Sequence, residues 1–297
     1  MQGDFAATKC CMYRSLYDIV VVFPGVMDVR TNDREIAVRE WDPQQYLEFE
    51  HERTQPSIDL VARIPLEDPK TIIDIGCGPG NSTRILRNRW PHADIVGLDK
   101  SEKMIERART DYPGQTWVIG DASKFETDRM YDIVFSNAAI HWIPDHHRLI
   151  PRLFQIVRED GILAIQVPAN YESPLYKIIL NIARSSKWSA FTSGCDRQIT
   201  YHAAEYYYNE LVSLTQEIAL WKTTYYHILN SHQDLVAWYK GTAMKPILES
   251  LPTDDNREEF EQAVLTECKE QYPPQSDGRI LYPFKRLFFT ARKIVVG

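Results

Sequence analysis

The stretch T-I-I-D-I-G-C-G-P-G, residues 71–80, says more about the chemistry of this chain than any other part of it. Thr71, Ile72, Ile73 and Ile75 have strand character and carry Asp74 among them. Three glycines follow at alternate positions, Gly76, Gly78 and Gly80. A helical pattern starts at once, with Ile85 and Leu86 apolar and Pro91 closing it. A strand, a glycine-rich turn and a helix let backbone approach a nucleotide closely, because glycine has no Cβ and tolerates left-handed dihedrals. Dinucleotide folds prefer G-x-G-x-x-G and set a pyrophosphate on the helix N-terminus. Here the spacing is G-x-G-x-G, and Pro79 removes one phosphate-facing N–H. The pattern suits a ligand with no phosphate, although glycine clusters after strands also occur in plain tight turns.

Outward from this stretch, strand and helix signals alternate. Strands are expected at 94–98, 116–119, 131–136 and 161–167, and helices at 81–90, 101–111 and 145–157. Ser101 caps the second of these helices, with Met104, Ile105 and Ala108 on its inner face. Pro151 should bend the third or mark its true start. Upstream, residues 41–62 read as amphipathic helix that Pro56 divides into two pieces. Short apolar strands between amphipathic helices imply an α/β, Rossmann-like fold with a mostly parallel, doubly wound sheet. Beyond residue 170 long helical stretches appear, near 172–187, 202–215, 232–250 and 254–271. Strand-like segments at 218–229 and 287–294 interrupt them and read as late antiparallel strands, the helices between forming a lid. Residues 1–38 carry no readable motif and are expected to be a disordered or loosely docked extension. Residues 39–297 then form one domain, with the cofactor half in 39–169 and the lid helices and C-terminal strands in 170–297.

Composition narrows the function. The 297 residues are 44% hydrophobic and 25% charged, ordinary for a soluble globule,. A net charge of −7 and the lack of any basic run argue against a nucleic-acid partner, which needs a basic stripe,. The apolar run at 19–23 is too short to span a bilayer and lacks the flanks of a signal peptide, so no membrane partner is expected. Five scattered cysteines make neither zinc spacing nor a disulfide framework,. That fits a reducing compartment, and the cytoplasm is the expected location.

Asp99 ends the strand at 94–98, where a carboxylate can accept hydrogen bonds from both ribose hydroxyls. An aspartate after a strand is also a common turn or helix cap. Gly120-Asp121-Ala122 ends the third strand and Ser136-Asn137-Ala138-Ala139 the fourth. These groups sit at the carboxyl ends of successive strands, where α/β sheets bind ligands. Asp74 either orients the glycine loop or a water near the ligand, or cages backbone N–H groups at the strand end.

The glycine loop resembles motif I of the class I methyltransferases that use S-adenosylmethionine (SAM). The resemblance implies SAM as cofactor. It also implies that Asp121 meets the adenine amine, that the backbone N–H of Ala122 meets a ring nitrogen, and that the turn at 136–139 holds the cofactor's ammonium. The cofactor-side candidates are therefore Asp74, Gly76, Gly78, Gly80, Asp99, Lys100, Met104, Asp121, Ala122 and Asn137. A nicotinamide dehydrogenase is disfavoured by the G-x-G-P-G spacing.

Further stretches resemble the trans-aconitate 2-methyltransferase family in particular. They include Trp41-Asp42-Pro43 with Tyr46, A-R-I-P-L at 62–66, I-G-C-G-P-G-N-S-T at 75–83 and His141-Trp142-Ile143-Pro144-Asp145-His146. Thr223-Thr224-Tyr225-Tyr226-His227, Ser231-His232 with Trp238, Glu270-Gln271-Tyr272-Pro273, and Phe284 with Arg286-Leu287-Phe288 continue the set. The similarity spans about 41–293 and so includes the substrate-side lid. It implies methyl transfer to one carboxylate of an unsaturated tricarboxylic acid. The sequence departs from the family pattern at Gln55, where a second arginine is expected, at His141 for a glutamine, and at Ala169-Asn170-Tyr171 for Asp-Asn-Trp. Those departures leave room for another small or fatty carboxylic acid. A silent SAM-binding subunit is the alternative from another class, and the complete glycine–Asp99–Asp121 set argues against it.

A carboxylic acid with a pKa of roughly 4 is already an anion at neutral pH and needs no general base. No essential catalytic residue and no metal is expected. Alignment of oxygen, methyl carbon and sulfur supplies the rate. Donors must anchor the other carboxylates, and the candidates are Tyr46, Arg53, His141, Trp142, Tyr225, His227 and Arg286. Arginine binds carboxylate in bidentate fashion, which favours Arg53 or Arg286 as the specificity handle. On a strand, Tyr225 and His227 share one face and Tyr226 takes the other. His141, His146 and His147 are read as polar side chains exposed to solvent rather than a metal site. The chain is expected to act as a monomer or homodimer.

Overall fold

The structure, a computed structural model, describes residues 50–294, without the side chains of 50–52 and 196–197. The expected extension at 1–38, the first part of the 41–62 helix and Tyr46 lie outside the described residues. Strands β1 (Thr71–Ile75), β2 (Asp94–Asp99), β3 (Thr116–Ile119), β4 (Tyr131–Asn137), β5 (Val157–Pro168), β6 (Ile218–Leu229) and β7 (Ile280–Arg292) form one sheet. Its order is β3-β2-β1-β4-β5-β7-β6. The first five pair in parallel, and β7 pairs antiparallel with both β5 and β6. Both late strands thus make antiparallel pairings, and β7 alone runs against the rest.

Helices cover both faces. On one, α1 (Glu50–Val61) and α2 (Asn81–Arg89) bring Leu60, Val61 and Leu86 onto Ile72, Ile95, Phe135 and Phe288. The same face carries α3 (Glu102–Asp111), whose Ile105 and Ala108 pack on Trp117 of β3. On the other face α4 (His146–Gln155) packs Leu149, Ile150 and Leu153 with Ile73, Ile75, Leu163 and Phe289. Neighbouring strand residues such as Ile72 and Ile73 go to opposite faces, as the pleat requires,. Each fully buried isoleucine is worth about 1.5–3 kcal/mol of burial. Two-sided burial explains why the central strands read as unbroken apolar runs.

A third core belongs to the lid. It joins α5 (Pro174–Ala183), α7 (His232–Lys240), α8 (Lys245–Ser250) and α9 (Asp254–Gln271) to the far ends of β6 and β7 through Leu175, Trp238, Phe260, Tyr282 and Phe284. Helix α6 (Ala204–Val212) instead packs Tyr207 and Leu211 against the sheet.

Several expected boundaries move. Helix α1 runs through Pro56 without dividing. Its packed Leu60–Val61 end holds the helix together across the proline. Pro151 neither bends the chain out of α4 nor starts it, because the helix begins at His146 and contains Pro151. The expected helix at 232–250 is two, broken after Lys240 where Gly241 caps α7. Strand β5 begins earlier than expected, at Val157, which pairs with Tyr131, and β7 begins at Ile280, because Ile280–Arg286 pairs with Thr223–Leu229 of β6 straight through Pro283.

Candidate active site

The glycine loop takes its shape from what surrounds it. Gly76, Gly78 and Gly80 all adopt positive φ, at 71°, 55° and 97°, which explains glycine at alternate positions,. The loop hangs on the end of β2, where the Leu98 carbonyl accepts from the N–H groups of Gly76 (2.7 Å) and Cys77 (3.0 Å). A Cβ on Gly76 would lie 2.1 Å from the Cβ of Ala139, so the β1 and β4 turns mesh there. At Gly80 a Cβ would strike the rings of Trp117 and Tyr112 instead, and at Gly78 it would meet nothing within 4 Å.

Asp74 lies fully buried beneath the loop, and its Oδ2 accepts from the hydroxyls of Ser82 and Thr83, both at 2.6 Å. Burial pushes its carboxyl up to about 6 despite those two bonds,. Asp99 braces the loop as well, accepting from the N–H of Gly78 at 2.9 Å and of Ser101 at 2.8 Å. Burial raises its pKa too. Asp121 accepts from the backbone and hydroxyl of Ser123 at 2.8 and 2.7 Å.

Together these turns wall an open cleft of about 890 Å³ at the carboxyl ends of β1 to β4. Among the cofactor-side candidates it brings together Gly76, Gly78, Asp99, Lys100, Met104, Asp121, Ala122 and Asn137. Asp74 and Gly80 are not on its wall; they stand behind it and shape the loop. Asn137 is buried with its Oδ1 lacking a hydrogen-bond partner among the described residues.

A second cleft of about 700 Å³ adjoins the first, and Ala138 and Trp142 line both. Ala138 holds φ at 52°, uncommon for a residue with a Cβ and a mark of local strain where the two clefts meet,. Arg53 from α1, His141 and Trp142 from the turn after β4, and Arg286 from β7 line the second cleft. Arg286 is only 3% exposed. Its Nη1 donates to Gln166 Oε1 at 3.3 Å, and its guanidinium lies 4.8 Å from the centre of the Phe284 ring. Arg53 sits 5.3 Å from the Trp238 ring centre.

Burial, then the Arg286 charge and His146, holds His141 down at about 3. Burial and Arg286 bring His227 to about 3 as well. Both rings are therefore neutral near pH 7, and the arginines carry the positive charge of this region.

The remaining acid-side candidates are placed differently. The Tyr225 hydroxyl donates to Asp59 of α1, away from the cleft wall. Gln55 Nε2 donates to the other oxygen of Asp59 at 2.8 Å, so the residue found in place of an arginine is turned along its own helix. His227 packs behind the wall, 4.7 Å from Trp238 and 5.7 Å from Phe284 between ring centres. The reading of the histidines as surface groups needs correction for two of the three. His141 is buried, and fully buried His146 bonds Tyr207 and the Ile140 carbonyl, both at 2.9 Å. Only His147 is exposed, paired with Glu210 at 2.9 Å. No cluster of three or more metal-ligating side chains occurs among the described residues.

The second cleft also contains Asn170, Tyr176, Tyr201, Trp238, Tyr239 and Phe284, which sequence reasoning did not single out as site residues. Trp238 and Phe284 stood in the stretches that carry the family resemblance. The tyrosines have no local signature, because they meet only when the lid packs on the sheet.

Comparison with known proteins follows the same lines. A family profile described as a methyltransferase domain matches residues 73–165. The trans-aconitate 2-methyltransferase of Azoarcus sp. (strain BH72) is 40% identical over 251 residues, covering 84% of this chain and 98% of that protein. The protein of that name from Methylobacterium radiotolerans is 38% identical, covering 86% and 98%. Among solved structures, YcgJ from Bacillus subtilis superposes with a TM-score of 0.53 at 15% identity, covering 81% of this chain and 99% of that one. A phosphoethanolamine N-methyltransferase from Haemonchus contortus, solved with S-adenosylhomocysteine, gives 0.53 at 16% identity, covering 81% and 53%. The structural likenesses establish the shared fold, and the sequence identity over most of both chains goes further: this chain belongs to the trans-aconitate 2-methyltransferase family.

Proposed function

We propose that this protein transfers a methyl group from SAM to one carboxylate of trans-aconitate, releasing the monomethyl ester. The observation that carries this reading is the pair of adjoining clefts. One is walled by a glycine loop and two carboxylates, the other by two arginines and the neutral His141, and they share Ala138 and Trp142. Relatives at 38–40% identity bear the corresponding name.

The first cleft suits SAM. Gly78 leaves room for close approach, Asp99 and Asp121 can accept from ribose and adenine, and buried Asn137 Oδ1 can accept from an ammonium,. When bound, SAM supplies the methyl group, whose bond to the sulfonium sulfur breaks as a bond to a carboxylate oxygen forms, leaving a neutral thioether and an ester. Arg286 and Arg53 hold the acid's other carboxylates and keep it anionic. Neutral His141 adds polarity without a competing charge. Trp142 and the aromatic lid keep water from the shared wall. No side chain has to remove a proton, because the acceptor oxygen arrives ionised.

A second reading keeps SAM and changes the acid. Gln55, engaged with Asp59, adds no charge to the cleft, so acids with fewer carboxylates are the alternative. Incubation with SAM and a panel of mono-, di- and tricarboxylic acids, with mass detection of base-labile methyl esters, separates the two. Trans-aconitate is expected to turn over fastest. A better dicarboxylate or fatty acid would shift the assignment, and SAM-induced stabilisation with no ester would point to a silent binding subunit. The same reading carries a cytoplasmic location, a monomer or homodimer, and a cofactor half at 39–169 followed by lid and strands at 170–297. Cell fractionation, light scattering and limited proteolysis test these in turn.

A further inference from the structure

Beneath the second cleft lies a closed set of polar groups whose protons can be counted. Asn170 Oδ1 accepts from the backbone N–H of Lys285 at 3.1 Å, which fixes the orientation of the amide,. Its Nδ2 then faces the phenols and donates to Tyr282 at 2.5 Å and to Tyr239 at 3.1 Å. The two phenol oxygens are 2.6 Å apart, so one donates to the other.

Tyr282 is fully buried, and the near hydroxyl acceptor is Tyr239 at 2.6 Å, with Ser173 the other hydroxyl that interacts with it. Its proton therefore belongs on that bond, and Tyr239 receives it. The Tyr239 proton must then go elsewhere. Ser173 Oγ is 3.4 Å away, long for a hydroxyl pair, where about 2.7–2.8 Å is usual,. Tyr239 lines the second cleft, as does Asn170, while Tyr282 and Ser173 do not.

We propose that the Tyr239 hydroxyl donates a hydrogen bond to a carboxylate of the acceptor acid, its direction set by Asn170 and Tyr282. The inference rests on the acid-methylating reading above and adds a neutral donor to the two arginines. Burial raises the Tyr239 pKa, outweighing the hydrogen bonds from Ser173, Tyr282 and Asn170, so the phenol keeps its proton across the working pH range. A neutral donor recognises a carboxylate without adding charge that would hold the acid too tightly for release of its less charged ester.

Tyr239→Phe keeps the ring and removes the donor. A hydrogen bond to an ionised group predicts a rise in KM for the acid of about tenfold or more. The Kd for SAM and kcat at saturating acid should stay near wild type. Tyr282→Phe is the comparison: it removes a positioning hydroxyl with no atom on the cleft and leaves the Tyr239 donor in place, so its rise in acid KM should be several-fold smaller than that of Tyr239→Phe. Equal KM effects in the two variants, or none in Tyr239→Phe, would overturn the proposal. If Tyr239→Phe fails to fold, 3-fluorotyrosine placed at 239 makes a stronger donor of nearly the same volume. It should tighten acid binding, and unchanged or weaker binding would refute the assignment. Calorimetric acid binding in the presence of S-adenosylhomocysteine separates the levels of failure. Trans-aconitate bound equally by wild type and Tyr239→Phe sinks this inference alone, whereas wild type that binds no acid of the panel sinks the reading beneath it as well.

Discussion

Gly76→Ala tests whether the meshed turns of β1 and β4 build the donor cleft. Two costs can be estimated from the geometry. At a φ of 71° a Cβ costs about 1–2 kcal/mol,. The added carbon would also lie 2.1 Å from the Ala139 Cβ. Carbon contacts settle near about 3.5–4.0 Å, so one turn must retreat by roughly 1.5 Å, and overpacking of this kind costs about 1–3 kcal/mol. The sum, about 2–5 kcal/mol, weakens SAM binding by about 30-fold to a few thousand-fold if it falls on the binding-competent loop. Ala139→Gly in the same chain removes the clash and leaves the dihedral cost, so it should restore about 1–3 kcal/mol. Isothermal calorimetry with SAM and S-adenosylhomocysteine reads both variants, with thermal unfolding to separate binding from stability. Gly76→Ala that binds within about threefold of wild type, or a second change that brings no recovery, would refute the reasoning.

Four other outcomes follow from the site. Arg286→Gln should raise the acid KM by about 30-fold or more while leaving the SAM Kd in place; an unchanged KM would remove Arg286 from the acid's binding groups. Tyr225→Phe should change acid KM little, because its hydroxyl donates to Asp59; a loss as large as that of Arg286→Gln would contradict this placement. Asp74 has a folded pKa of about 6 against an unfolded 3.8, so its ionised form is the one folding disfavours. The stability it contributes is whole below about pH 3.8 and lost as pH rises through about 6,. Asp74→Asn, which cannot ionise, should therefore gain in Tm over wild type as pH rises, by up to about 3 kcal/mol in stability; a pH-independent difference would count against it. With His141 and His227 both near 3, kcat should show no histidine limb between about pH 6 and 9, and a limb near 6.5 that vanishes in His141→Gln would restore a catalytic histidine,.

What could be read in advance divides along physical lines. Strand β1 and the long helix α9 announced themselves, because two-sided burial and helical periodicity leave local traces at 71–75 and 254–271, and the β-branched and aromatic run at 116–119 marked the edge strand β3,. The starts of β5 and β7 did not, since the polar Arg158–Gly161 and the proline at 283 hide strand ends that pair with Tyr131 and with β6. The donor cleft was legible for a similar reason: its walls are the residues that follow successive strands, and each carries its own short signal. The acceptor cleft draws Arg53, His141, Tyr239 and Arg286 from four distant segments, and no spacing in the sequence brings them together. The neutral state of His141 was invisible as well, because it depends on burial beside a cation supplied by β7.

The placement of β7 between β5 and β6 bears on how the protein is made. During synthesis β6 emerges from the ribosome with no hydrogen-bonding neighbour in the sheet, and must wait until Ile280–Arg292 has been translated and slides in beside it. The parallel half with its glycine loop can condense earlier. Arg286 arrives on that final insert, so a nascent chain gains the means to grip a donor before it gains the means to select an acid.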